Sequence, residues 1–328
     1  MTKSEITLFT SLPTRLKRPV QGRDLGPAWQ TACINSWKDA GFRVVSLNNS
    51  EEIAALRFYA PTIEFMEIPS DLSRPRLTDF FDAAKSSGSE IVGIINADCM
   101  IVPNVELASH LPRLHNSVVI IERINLSQET LRPTGLRCTG FDAFFFDVAA
   151  LAQIQNDDHW HIGNVWIDYW LPFAFHRAGV AVKTLPSPLL FHLDHELAWD
   201  WGAWASEGDR VIRLLKADVS GRLDPALATK VSKLKQTQDA GLLQNLLFDW
   251  LKSQKPLWEP EIGSVDDLAT RILNASAVFP QPGSYYLHHR LSALSRRIRS
   301  VFRRVIDTLG LRNALFAVGL VKRRHTSS

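Results

Sequence analysis

The sequence predicts an α/β fold, with a mainly parallel, Rossmann-like sheet flanked by helices and a helical C-terminal extension. Three observations lead there. Strand-like and helix-like segments alternate through the first half of the 328-residue chain, an order that builds a parallel sheet with helices on both faces. The stretch Glu90 to Pro103 opens on the β-branched run Ile91, Val92, Ile94 and Ile95 without alternation, as a strand buried on both faces requires. Beyond Trp204 the signals turn helical.

In chain order, Ile6 to Leu12 predicts a strand. Pro27 to Ala40 predicts a helix begun by proline and stopped at Gly41, and Arg43 to Leu47 a second strand. Ile63 to Ile68 is a third strand and Leu77 to Lys85 a helix ended by Ser86-Ser87-Gly88, followed by the Glu90 strand. Val118 to Ile124 predicts another strand, Arg132 to Arg137 a loop, and Thr139 to Asp147 an apolar strand with an acid near each end. A helix-like stretch runs into Gly179. It is followed by a strand over Val180 to Leu185 and by Phe191-His192-Leu193-Asp194-His195. Glu207 to Lys216, Asp224 to Leu234 and Gly241 to Lys252 predict helices, and Pro256 to Pro260 a loop. Ser264-Val265-Asp266-Asp267 supplies a helix N-cap with acids in the first turn. Pro280-Gln281-Pro282-Gly283 is the clearest linker, so three parts are expected: 1–204, 205–283 and 284–328.

A chain 45% hydrophobic and 22% charged buries a sizeable core. Cys33, Cys99 and Cys138 are too few and too scattered for a disulfide framework or a zinc site, which points to a reducing compartment. Met1 to Glu5 leads straight into the first strand without an apolar signal region, and no apolar run is long enough to cross a bilayer, so a cytoplasmic location is expected. The net charge of +3 hides an asymmetry. Residues 286–328 hold ten Lys/Arg against one acid, a charge of +9, which leaves −6 on the first 285 residues. An acidic body argues against nucleic acid as the main domain's partner, and the basic tail suits a local anionic one.

Chemistry concentrates at three places. Asn96 and Asp98 stand at the carboxyl end of the Glu90 strand, where open α/β sheets bind ligands. A carboxylate between Ile95 and Met100 must be paired, hydrogen-bonded or metal-bound. If the strand's extended end carries on, two residues' separation turns both side chains the same way, as a hard cation's oxygen ligands would be; an ordinary turn after a strand is the alternative. Thr10, Ser11, Thr14 and Arg15 follow the first strand at the same edge. Asp142, after Gly140, faces a ligand or sits in a buried strand capped by Asp147. His159 to His195 holds Trp160, His161, Asn164, Trp166, Asp168, Tyr169 and Trp170. Rings that cover the apolar face of a pyranose, interspersed with polar groups for its hydroxyls, build sugar sites; an aromatic core explains the tryptophans taken singly. Asp168, between Trp166 and Trp170, is expected to act as a base or to partner a buried donor. Gly-x-Gly-x-x-Gly and Walker sequences are absent, which counts against the usual dinucleotide and P-loop readings.

From Ile6 to Trp201, the strand order, Asn-Ala-Asp, Gly-Phe-Asp, Ile-Gly-x-x-x-x-Asp-x-Trp and a later His-x-x-His resemble GT-A-fold glycosyltransferases. The closer resemblance is to bacterial, family-2-like nucleotide-diphospho-sugar transferases. The resemblance implies a sugar transferred from a nucleotide-diphospho-sugar to a glycan or lipid-linked acceptor, with Mn²⁺ or Mg²⁺ as cofactor. The family's Asp-x-Asp is Asn96-Ala97-Asp98 here, so Asn stands at its first place. Asp98 then needs a later ligand, and the family's histidine matches His192 or His195. The resemblance further assigns the base of inverting members to Asp168 and a sugar-binding place to Asp142, with Trp166 and Trp170 beside it; donor contacts fall on Thr10, Ser11, Arg15, Asn96 and Asp98. A retaining mechanism stays open if Asp168 is structural. The alternatives are a nucleotidyltransferase on a similar α/β sheet, which Thr14-Arg15-Leu16-Lys17-Arg18 answers poorly because it lacks a glycine-rich loop, and a catalytically inactive sugar-nucleotide-binding protein, which Asn96 favours.

From Arg290, Leu291, Leu294, Ile298, Val301, Phe302, Val305, Ile306 and Leu309 fall on one arc of a helix, with Arg296, Arg297, Arg299, Arg303 and Arg304 opposite. Such a helix anchors the enzyme peripherally to an anionic membrane face, or else packs on the body or forms a homo-oligomer contact.

Overall fold

In a computed structural model of the chain, the described residues are 5–20, 23–69, 74–128, 134, 140–155, 157–185, 189–195, 201–218, 220–234 and 239–258. Two compact units divide it, 1–272 and 273–328. The second unit lies outside the described residues, as do the expected 264–267 helix cap, the 280–283 linker and the basic tail.

The first half alternates as expected. Strand β1 (Thr7–Thr10) leads through the small ribbon β2 (Pro19–Val20) and β3 (Arg23–Asp24) into helix α1 (Gly26–Asp39), then β4 (Arg43–Asn48). Pro27 opens α1 where its missing N–H costs nothing, and Gly41, at φ +83°, closes it. Helix α2 (Ser50–Tyr59) was not expected from periodicity, yet Asn49 and Glu52 form a complete capping box at its start. Strand β5 (Glu64–Glu67), helix α3 (Leu77–Ser86) and strand β6 (Ile91–Ile95) follow.

The Glu90 stretch is two strands. A turn, closed by the Cys99 N–H on the Asn96 carbonyl at 3.1 Å, separates β6 from β7 (Cys99–Ile101). Helix α4 (Val105–His110), strand β8 (Ser117–Leu126), strand β9 (Phe141–Asp147), helix α5 (Ile167–Arg177), strand β10 (Ala181–Thr184) and strand β11 (Leu190–Leu193) come next. Helices α6 (Trp201–Lys216), α7 (Pro225–Ser232) and α8 (Ala240–Lys252) form the extension; α6 starts before the expected Glu207 and runs through position 204.

Among the described residues the main sheet has nine strands in the order β5-β4-β1-β6-β9-β8-β11-β7, with β10 on β8. The β5-β4-β1-β6 half is parallel, whereas β9 lies antiparallel to β6 and β8, and β7 antiparallel to β11. The reversal at β9 positions the site, because the start of that strand meets the ends of β6 and β8. Close layering at the centre depends on Gly93 in β6: a Cβ there would fall 2.6 Å from Leu8 Cδ1 and from Phe145 Cε1. Helices α3, α5, α6, α7 and α8 share one aromatic-rich core with this sheet, in which Phe81, Phe146 and Phe175 pack edge-on or tilted.

Candidate active site

The ends of β6, β8 and β11, the loop after β1, the start of β9 and the first turn of α5 open onto one cleft of about 660 Å³. Within it stand Ser11, Asn96, Asp98, Asp142, Trp166, Asp168, His192 and His195 of the expected site residues.

Asp98 gathers nitrogen donors around one oxygen. Its Oδ2 lies 2.5 Å from Arg18 Nη2, 3.2 Å from His192 Nε2 and 3.8 Å from His195 Nε2. Burial by itself would raise this carboxyl; the opposing pull of His192, Arg18 and His195 is stronger and holds it well below the usual carboxylate range. The turn that follows β6 aims it there, with Trp29 Nε1 donating to the Asp98 carbonyl at 2.8 Å and Trp37 Nε1 to the Cys99 carbonyl at 2.9 Å.

The donor set fits a divalent cation. One ligand atom each from Asp98, His192 and His195 lies within 4.8 Å of the others. His192 Nδ1 is 3.1 Å from Asn125 Oδ1. An Nδ1 proton given to that oxygen leaves Nε2 as a lone pair facing a carboxylate, so a proton or a cation has to lie between them. A metal-binding histidine is oriented by a partner in the same way.

The extended geometry expected for Asn96-Ala97-Asp98 is corrected by this turn, since the two side chains diverge. Asn96 Nδ2 donates to Asp142 Oδ1 at 2.5 Å, while its backbone N–H meets the Asp142 carbonyl at 3.0 Å. Arg123 Nη1 donates to Asp142 Oδ2 at 2.7 Å. A register shift between β8 and β9 leaves Asp142 between the Ala143 and Phe141 pairings, an arrangement that re-aims a side chain. The buried Asp142 thus has both oxygens engaged, and Asn96 is its partner where a second carboxylate would repel it.

Asp168 sits in the first turn of α5, half-buried, beside this network. Burial first, then the neighbouring Asp142 charge, push its carboxyl up to about 7, against the smaller opposing effects of Arg123 and of hydrogen bonds from the Phe141 and Asp168 backbone. Pro172 lies four residues on and has no N–H to give the Asp168 carbonyl. A carboxyl titrating near neutrality inside a cleft is suited to taking up a proton.

Trp166 caps α5 at φ +73°, a conformation that costs a bulky residue about 1–3 kcal/mol and persists only where surroundings impose it. Its Nε1 donates to the Trp204 carbonyl at 2.7 Å, and its ring lies 5.4 Å from that of Trp204. Trp201, 67% exposed, continues the wall at 5.6 Å from Trp204. Trp170 does not line the cleft: it stacks on Trp160 at 5.3 Å within the core.

Of the donor residues expected after β1, Ser11 reaches the cleft. Thr10 is wholly buried, and Arg15, its side chain 68% exposed, reaches Asp24 at 3.5 Å instead. Sequence reasoning missed Arg18, Arg123, Asn125 and the Trp201–Trp204 pair. Arg18 ends the basic run Thr14 to Arg18, and a helix expected to begin at Glu207 excludes both tryptophans, which stand in the first turn of α6.

No family model matches the sequence, and no curated protein matches it. Solved structures do show likeness. S. aureus TarS 1–349 aligns at 11% identity and TM-score 0.47, over 75% of this chain and 72% of that one. The mannosyltransferase PcManGT from Pyrobaculum calidifontis, in complex with GDP-Man and Mn²⁺, aligns at 11% identity and TM-score 0.42, over 89% of this chain and 80% of that one. A Bacillus anthracis protein named as a glucose-1-phosphate thymidylyltransferase, in complex with a sucrose, aligns at 8% identity and TM-score 0.39, over 57% and 89%.

Proposed function

We propose that this protein is a metal-assisted glycosyltransferase of the GT-A type, moving a sugar from a nucleotide-diphospho-sugar to a glycan or lipid-linked hydroxyl. The observation that carries the reading is one cleft holding both the Asp98, His192, His195 cluster and an Asp168 carboxyl raised to about 7.

A divalent cation bound at that cluster would neutralise charge on the departing diphosphate. Two imidazoles beside one carboxylate suit Mn²⁺ better than Mg²⁺, which prefers oxygen and retains its waters. Asp168 in its ionised form accepts the proton of the acceptor hydroxyl as that oxygen bonds to the anomeric carbon. The bond from that carbon to the diphosphate oxygen breaks, and the nucleotide diphosphate leaves with the electron pair. Asp142, held by Asn96 and Arg123, meets sugar hydroxyls, and the Trp166 wall covers a ring face. Asn125 fixes the orientation of His192.

The Arg18–Asp98 pair favours a second reading, a sugar-nucleotide-binding protein without turnover, because a protein cation already neutralises Asp98. A thermal-shift screen of sugar nucleotides with and without Mn²⁺ tests both. A ligand at a hundred times its dissociation constant adds about 2.7 kcal/mol of stability. A Mn²⁺-dependent shift with one donor class, lost in Asp98→Ala, supports the transferase. Shifts indifferent to Mn²⁺ and to Asp98 favour the binding protein.

A further inference from the structure

The basic run before α1 places a cation where the metal reading needs one to bind. Arg18 is 7% exposed, and among the described residues its one ion pair is with Asp98. Its backbone is pinned on both sides, the N–H to Asp24 Oδ1 at 2.7 Å and the carbonyl by the Leu25 N–H at 2.9 Å. Nη1 donates to the Lys17 carbonyl at 2.8 Å, Nη2 takes Asp98 Oδ2 at 2.5 Å, and Nε is buried without a partner. A guanidinium with five donors and so few acceptors stays buried because the Asp98 charge holds it there.

That oxygen is also the one nearest both histidines. A metal ion drawing on Asp98 Oδ2 and the imidazoles would meet Arg18 within hydrogen-bond range of the same atom. Two positive centres cannot share it at little cost where solvent screening is weak.

We infer that Arg18 is an internal counter-ion that competes with a divalent cation for Asp98, so that metal binds only as Arg18 gives up that oxygen. The inference rests on the metal reading of Asp98, His192 and His195. It adds a specificity-determining residue that sets how readily the site takes metal.

The test is calorimetric titration of MnCl₂ into the full chain, comparing wild type, Arg18→Met, Arg18→Lys and Asp98→Asn, with thermal melting to establish that each variant folds. Arg18→Met is expected to bind Mn²⁺ about tenfold tighter or better, since a neighbouring positive charge is gone. Arg18→Lys, which retains the charge, is expected to stay near wild type. Asp98→Asn is expected to lose binding, and with it the advantage of a double Arg18→Met, Asp98→Asn variant. If Arg18→Met melts too low to titrate, Arg18→Gln carries the same comparison. Equal or weaker Mn²⁺ binding by folded Arg18→Met or Arg18→Gln overturns the inference while leaving the metal site standing. No Asp98-dependent Mn²⁺ binding in any variant removes the metal reading, and the inference with it.

Discussion

The Asn96 amide donates to the Asp142 carboxylate across 2.5 Å, so the residue that departs from an acidic pair at the strand end is the one that makes the buried Asp142 carboxylate tolerable. Replacing it by the acid, Asn96→Asp, sets two carboxylates against each other and strips one hydrogen bond. A loss of about 1–3 kcal/mol is expected near pH 7. Denaturant midpoints of parent and variant at pH 7 measure it, and a variant as stable as the parent would contradict this role for Asn96.

Asp168→Asn is expected to retain donor binding and to lose about two to four powers of ten in transfer rate. Stability supplies an independent readout. With its folded pKa raised to about 7, Asp168 retains a proton that the unfolded chain releases above about pH 4. Its contribution is therefore full below that value and is lost as pH rises toward 7. The Asn variant imitates the protonated acid, so it should gain on wild type between about pH 4 and 8, by a few kcal/mol at most. Urea unfolding at the two ends measures the gain; a difference that does not change with pH would mean that Asp168 titrates normally.

Gly208 in α6 tests the aromatic wall. A Cβ there would fall 2.9 Å from Trp166 Cζ2 and 2.9 Å from Ala240 Cβ. Gly208→Val should cost about 1–3 kcal/mol by overpacking, and should disturb the αL cap at Trp166. Near-ultraviolet circular dichroism together with the melting temperature reads both effects. A native tryptophan spectrum in the variant would show that the wall tolerates a gap between α6 and α5.

The basic tail, outside the described residues, predicts salt-sensitive binding to anionic liposomes that disappears when 290–328 are deleted, each arginine near the surface adding about 1 kcal/mol. Among the described residues no helix is long and apolar enough to cross a membrane. Sedimentation with phosphatidylserine vesicles at low and high salt compares full-length and shortened protein, and equal binding by the two would leave the tail as a packing or oligomer contact.

Periodicity and punctuation determine the elements of this protein. The run Ile91 to Ile95 is a strand buried along its whole length, Pro27 and Gly41 bracket α1, and the acids at 98, 142 and 168 stand out because their neighbours in the sequence are mostly apolar. The Asn49 and Glu52 capping box was equally legible, although periodicity alone passed over it. Pairing is different, because it joins residues far apart in the chain through contacts that no local pattern encodes. Only the tertiary structure sends Asn96 to Asp142 rather than alongside Asp98, since a four-residue turn and an antiparallel β9 decide which way each side chain points. Trp170 lies in the core and Trp166 at the cleft for a similar reason: Trp170, within α5, stacks on Trp160, whereas Trp166 precedes the helix in a left-handed conformation and meets Trp204, contacts that depend on elements packed from elsewhere. Arg18 becomes a partner of Asp98 across eighty positions because burial forces unlike charges together, a choice made by the folded interior and not by the run of residues around either one.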